Sequence, residues 1–190
     1  MFLFTPNFTT PASTTFTGPI NIDVAEFDSD LCGLKSFSCI PQPGPQPATP
    51  ELDPLREVVM HRAQYRNFGR FQTVVGSFAT DTNGADRAGV RWFELRNTGT
   101  GWSLYQQGTY SEVTTAPTSR WMSSIAMDGA GGIALGYSLS SPFVFPGMRY
   151  TGRTANATLG TMNQAEAGVV NGTASNGSNR WGDYASLNVD

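Results

Sequence analysis

From about residue 58 onward, apolar and polar positions alternate one by one in short runs, and Gly, Asn and Asp turns separate the runs. A period of two marks strands buried on one face. It predicts strands over 58–65, 71–79, 89–95 and 102–110, then over 123–127, 133–138 and 148–152, with a tight turn at 128–132. Upstream, residues 15–17 and 20–25 alternate in the same way and predict edge or half-buried strands. Between them and the main run, Pro41 to Pro50 carries five prolines. Proline has no N–H to donate and a fixed φ, so this run predicts an extended strap over the surface.

The chain also resembles itself. Arg120-Trp121 returns 60 residues later as Arg180-Trp181, Val74–Phe78 matches Ala134–Ser138 at the same shift, and Gly89–Trp92 matches Gly147–Tyr150 at a shift of 58. Each unit reads as an antiparallel four-stranded sheet, which predicts an all-β fold of blade repeats of about 60 residues, propeller-like and incomplete, behind an extended N-terminal arm. The arm covers 1–57 and the repeats 58–190, as 58–112, 119–179 and a third unit opening at 180. A plain β-sandwich with accidental similarity between hairpins is the alternative.

Arg91-Trp-Phe-Glu-Leu-Arg96, Gln106-Gln-Gly-Thr-Tyr110, Arg120–Asp128, Ile133–Ser138, Arg149-Tyr-Thr-Gly-Arg153 and Arg180-Trp-Gly-Asp-Tyr184, together with Cys39–Gly44 and Tyr65–Gly69, carry a family resemblance. Over most of residues 16–190 the chain resembles large secreted bacterial proteins with a sialidase-like or related β-propeller region. The resemblance implies blades before this region and a continuation after the last motif. It brings no established activity. Two units and one strand cannot close a ring that needs about four blades, so sheet edges are expected to stay open. Either the remainder of a longer chain pairs them, or residues 2–27 complete the blade begun at Arg180. The same exchange between copies would run head to tail and make rings or filaments.

Composition narrows the partners. With 12 basic and 15 acidic residues the net charge is −3, and Lys35 is the only lysine, so no basic field exists for nucleic acid. No apolar stretch approaches a membrane span, and Met1–Pro6 lacks the basic start of a signal peptide. A secreted protein with this start is expected to be a mature form or a fragment. Cys32 and Cys39 predict a disulfide across a small loop. Sequons at Asn7, Asn156, Asn171 and Asn176 add the expectation of an extracellular or cell-surface glycoprotein.

Chemistry is sparse, and the expectation leans away from an enzyme. His61 is the only histidine and no Gly-X-Ser-X-Gly elbow occurs, which removes Ser-His catalysis and leaves His61 as a strand residue. Arg91, Arg149, Tyr150 and Glu94 are the residue types of a sialidase site, but Arg91 and Arg149 fall at equivalent repeat positions, which predicts a structural role. Asp81, Asn83 and Asp86 place oxygens around a turn glycine, a calcium-loop spacing that an Asn-Gly hairpin turn also explains. No other cofactor is indicated. Trp121 and Trp181 are expected to pack between blades, and Trp102 is the tryptophan placed for ligand contact. A self-associating, fibre-forming subunit is the leading expectation. A carbohydrate-binding module or a fragment of a sialidase-like glycoside hydrolase is the alternative, so glycans join copies of the chain as candidate partners.

Overall fold

The computed structural model describes residues 1–33, 36–111 and 117–189. The protein is all-β. A short hairpin pairs β1 (Leu3–Thr5) with β2 (Thr15–Thr17). One four-stranded antiparallel sheet follows in the order β3 (Gln64–Asn67), β4 (Gln72–Asp81), β5 (Ala88–Asn97) and β6 (Trp102–Tyr110). A second contains β7 (Ser119–Met127), β8 (Ile133–Ser141), β9 (Val144–Arg153) and β10 (Gln164–Val170). They do not close into a barrel. Among the described residues no helix is long and apolar enough to cross a membrane.

The repeat is visible in the strand ends. Those of the first sheet are Asn67, Asp81, Asn97 and Tyr110; those of the second, Met127, Ser141, Arg153 and Val170, follow them by 60, 60, 56 and 60 residues. The third strand falls out of step because Thr82–Arg87 joins β4 to β5 whereas Pro142-Phe143 alone joins β8 to β9. One correction follows. Arg91 pairs across the sheet with Phe78, and Met148 pairs with Ser138, 60 residues after Phe78; Arg149 pairs instead with Tyr137. Arg91 and Arg149 are therefore not equivalent.

Pleating puts Val75, Val90 and Trp92 on one face of the first sheet, and Ile125, Met127, Ile133, Leu135 and Tyr137 on one face of the second. These faces meet in a buried core to which each large apolar side chain contributes about 1.5–3 kcal/mol. Val75 and its repeat counterpart Leu135 lie in this same core, both with no exposed surface. A second core joins Ala79, Ala88, Trp121 and Met122 to Leu31, Cys32, Ile40 and Leu52, so it draws on both sides of the boundary expected at residue 57. Cys32 and Cys39 form the expected disulfide, S–S 2.03 Å.

Three expectations are corrected. The proline run is no extended strap. It turns back so that Ile40 and Leu52 pair, and the buried Gln42 side chain supplies donors the prolines lack, giving hydrogen bonds to Pro50 O and Asn176 O at 2.7 and 2.9 Å. The first strand of the first sheet begins at Gln64 rather than Val58. Beyond Val75, the β4 edge is met by Met60 N–H, donating to Ser77 O, and by Asp28 bridging to Asp81. His61 is thus exposed and outside any strand. Residues 171–189 hold no strand either, because Leu187 finds side-chain partners in place of a neighbouring strand: its N–H donates to Ser124 Oγ and its carbonyl accepts from Gln64 Nε2.

Candidate interaction surface

The sheets meet by equivalent faces, and each has its other face turned away from the shared core. On the first sheet the outward face is roofed. Gly76 lies under the ring of its cross-strand partner Phe93, so close that a Cβ would sit 2.4 Å from Phe93 Cζ. Residues 22–28 of the arm lie over part of the rest and leave a groove of about 260 Å³ between Ile22, Val24, Phe27, Phe78, Phe93 and Leu95. The Phe27 ring meets Phe78 edge-on with centroids 5.0 Å apart, and the Arg91 guanidinium lies over Phe27 while donating to Ala25 O and Gln107 Oε1. Burial here pushes the Arg91 guanidinium below its ordinary pKa. Asp28 O accepts from Asp81 N–H and from Thr80 Oγ1, pinning the end of the roof.

The outward face of the second sheet is only partly covered. Its lid is the C-terminal segment Trp181–Leu187, held by the Leu187 hydrogen bonds and by Trp181 packing on the second core. Between lid and sheet runs a groove of about 340 Å³ lined by Gly136, Met148, Tyr150, Val169, Trp181 and Leu187. Gly136 is the repeat counterpart of Gly76, yet a Cβ there would meet nothing nearer than Arg149 O at 4.0 Å. Its cross-strand partner Tyr150 is 47% exposed. The one charged group on the lining, Arg149, donates to Met148 O, Val170 O and Asn171 Oδ1.

The polar clusters are closed. Between the sheets, Arg120 Nε and Nη2 donate to the two oxygens of Glu166 at 2.6 and 3.1 Å, and Tyr137 OH donates to Oε2 at 2.7 Å. Burial works against the Arg120 charge, but the hydrogen bond and attraction of Glu166 hold its pKa above the ordinary value. Tyr137 is 2% exposed, and burial followed by its bond to Glu166 pushes its phenol far up. A tyrosine nucleophile needs the opposite shift. Glu94, fully buried, accepts from Thr73 Oγ1, Arg96 Nε and Gln106 Nε2.

The sequence candidates disperse. Arg91 lies under the roof of the first sheet and Glu94 in its interior, whereas Arg149 and Tyr150 belong to the second sheet, so no sialidase-type constellation assembles. The calcium-loop oxygens have other partners: Asp81 accepts from the N–H groups of Asn83, Gly84 and Asp86, Asn83 from those of Ala85 and Arg87, and Asp86 from Cys32 N–H. They shape a turn and tie it to the disulfide loop. Among the described residues no three metal-ligating side chains converge. Trp102 is half-buried at the start of β6, outside the groove, while Trp121 and Trp181 share the second core. Of the sequons, Asn7, Asn156 and Asn171 are exposed, but Asn176 Nδ2 donates to Ser178 O and Arg180 O.

Glu166 passed unnoticed in the sequence because its bonds to Arg120 and Tyr137 join three different strands. Gly136 carried a signal: a glycine inside a strand marks close approach or an unfilled place.

Fold and surface define an all-β protein of two four-stranded antiparallel repeats, with the larger apolar groove on the outward face of the second. Compared with protein-family models, curated proteins and solved structures, the chain matches none.

Proposed function

We propose that the protein is a non-catalytic, extracellular structural subunit that assembles with copies of itself. The observation that supports this most is the contrast between closed polar clusters and an uncovered apolar groove. Each buried charge named above already has partners inside the chain, whereas the second sheet keeps an apolar groove between its outward face and Trp181–Leu187. An exposed apolar surface of that type favours association. The disulfide suits an oxidising compartment, and three exposed sequons suit an extracellular glycoprotein.

A carbohydrate-recognition module is the second reading, favoured by Trp181 and Tyr150 on the groove walls. Sugars also need several converging polar groups, and this lining offers few. Negative-stain electron microscopy of the purified full chain tests the leading reading: rings or filaments are expected. Isolated single particles together with a positive glycan array would replace it with the second.

A further inference from the structure

We infer that the groove on the second sheet receives the aromatic face of the β1–β2 hairpin of a second copy, so that copies join head to tail. This rests on the self-assembly reading and names its two surfaces. The hairpin is built for such contact. Phe4 and Phe16 are directly opposed across its strands, Phe2 stacks on Phe16 at 5.4 Å and 2°, and Phe2, Phe4 and Phe16 are 56%, 66% and 69% exposed. From Met1 to Ile22 no side chain is charged, and the terminal amine donates to Ile20 O. Desolvating this segment therefore strands no side-chain charge.

The groove matches it. A phenyl ring fills a cavity of about 150 Å³, so a groove of about 340 Å³ takes the exposed edge of such a cluster. Its one charge, Arg149, already has acceptors. The molecule also shows what satisfies a surface of this kind. In the first sheet, a phenylalanine ring covers Gly76 and a Phe-bearing arm segment lies beside it; in the second, Gly136 lacks a ring.

The hairpin cannot serve its own groove. Met1 lines the groove on the outward face of the first sheet with Ile22, Phe78 and Phe93, whereas none of residues 1–22 lines the groove of the second sheet. Hairpin and groove are thus separate surfaces of one chain. A contact between different surfaces on two copies is heterologous, and its repetition gives rings or filaments.

The test uses the full chain and two variants, followed by light scattering across a concentration series. Phe4→Ser weakens the hairpin; Gly136→Phe fills the groove, at a glycine whose backbone is not left-handed and whose Cβ has room. Thermal melts check that both fold. Wild type is expected to grow in mass with concentration, and each variant to associate at least ~10-fold more weakly. A 1:1 mixture is expected to regain wild-type affinity yet stop at two chains, since one variant keeps its groove and the other its hairpin. If wild type assembles but Gly136→Phe assembles equally well, the groove assignment is wrong while self-assembly stands. If Phe4→Ser assembles as wild type does, the hairpin assignment is wrong in the same way. Wild type that stays monomeric overturns both, including a monomer that instead binds phosphatidylcholine vesicles through Phe4.

Discussion

The two outward faces start from equivalent positions and end differently. Gly76 and Gly136 are 60 residues apart, each in the second strand of its sheet; the first lies beneath Phe93 and the arm, the second at the floor of a groove beside a half-exposed Tyr150. Strand order and three of the four strand-end spacings are kept between the repeats, while register and side chains are not. A repeat can thus keep its architecture while one face becomes interior and the other becomes a surface for partners.

That comparison can be broken most severely from the inside. Trp92 packs in the core shared by both repeats, and Trp92→Ala is expected to cost about 3–5 kcal/mol in urea unfolding. A loss below 1 kcal/mol would mean the sheets are not held through this core. Removing one partner of a buried ion pair strands the other, so Glu166→Gln should cost about 3 kcal/mol, measured the same way. A neutral result would show that Arg120 has adequate partners without it.

The glycine pair sharpens the contrast directly. Gly76→Ala must displace the Phe93 ring and is expected to cost about 1–3 kcal/mol, whereas Gly136→Ala meets open space and should stay within about 0.5 kcal/mol of wild type. Equal thermal shifts for the two would remove the distinction between roofed and open faces.

A smaller effect concerns alkaline pH. Tyr137 holds its proton more tightly folded than unfolded, so above the unfolded tyrosine value near 10 the unfolded state loses a proton that the folded state keeps, and stability falls. The expected slope from this group is about 1.4 kcal/mol per pH unit above pH 10. Tyr137→Phe should flatten it, as read from unfolding curves at pH 9 to 11.

Much of the architecture was legible because alternation and turn glycines are local signals. Eight of the nine predicted strands recur, 15–17 and 102–110 with the same ends and six with shifted ends, whereas 20–25 forms none; the 60-residue spacing survives in three of the four strand ends. What was not legible depended on remote partners. Val58–Ala63 opens on an apolar run like the start of a strand, but Met60 and Asp28 take the edge of β4 in place of a longer ladder. Leu187–Val189 reads as a strand opening a third unit, but Ser124 and Gln64 side chains take its backbone groups. The proline run read as extended because nothing in it announces that Gln42 would be buried against Asn176. The groove was the hardest feature to foresee: it is defined by a ring missing above Gly136, and a sequence shows only what is present.

The central claim is that the open face makes copies associate, and sedimentation velocity of the full chain over a hundredfold concentration range tests it most directly. The account predicts a weight-average mass that rises steadily from that of a 20.4 kDa monomer without stopping at a dimer. A single species of monomer mass at every concentration would contradict it.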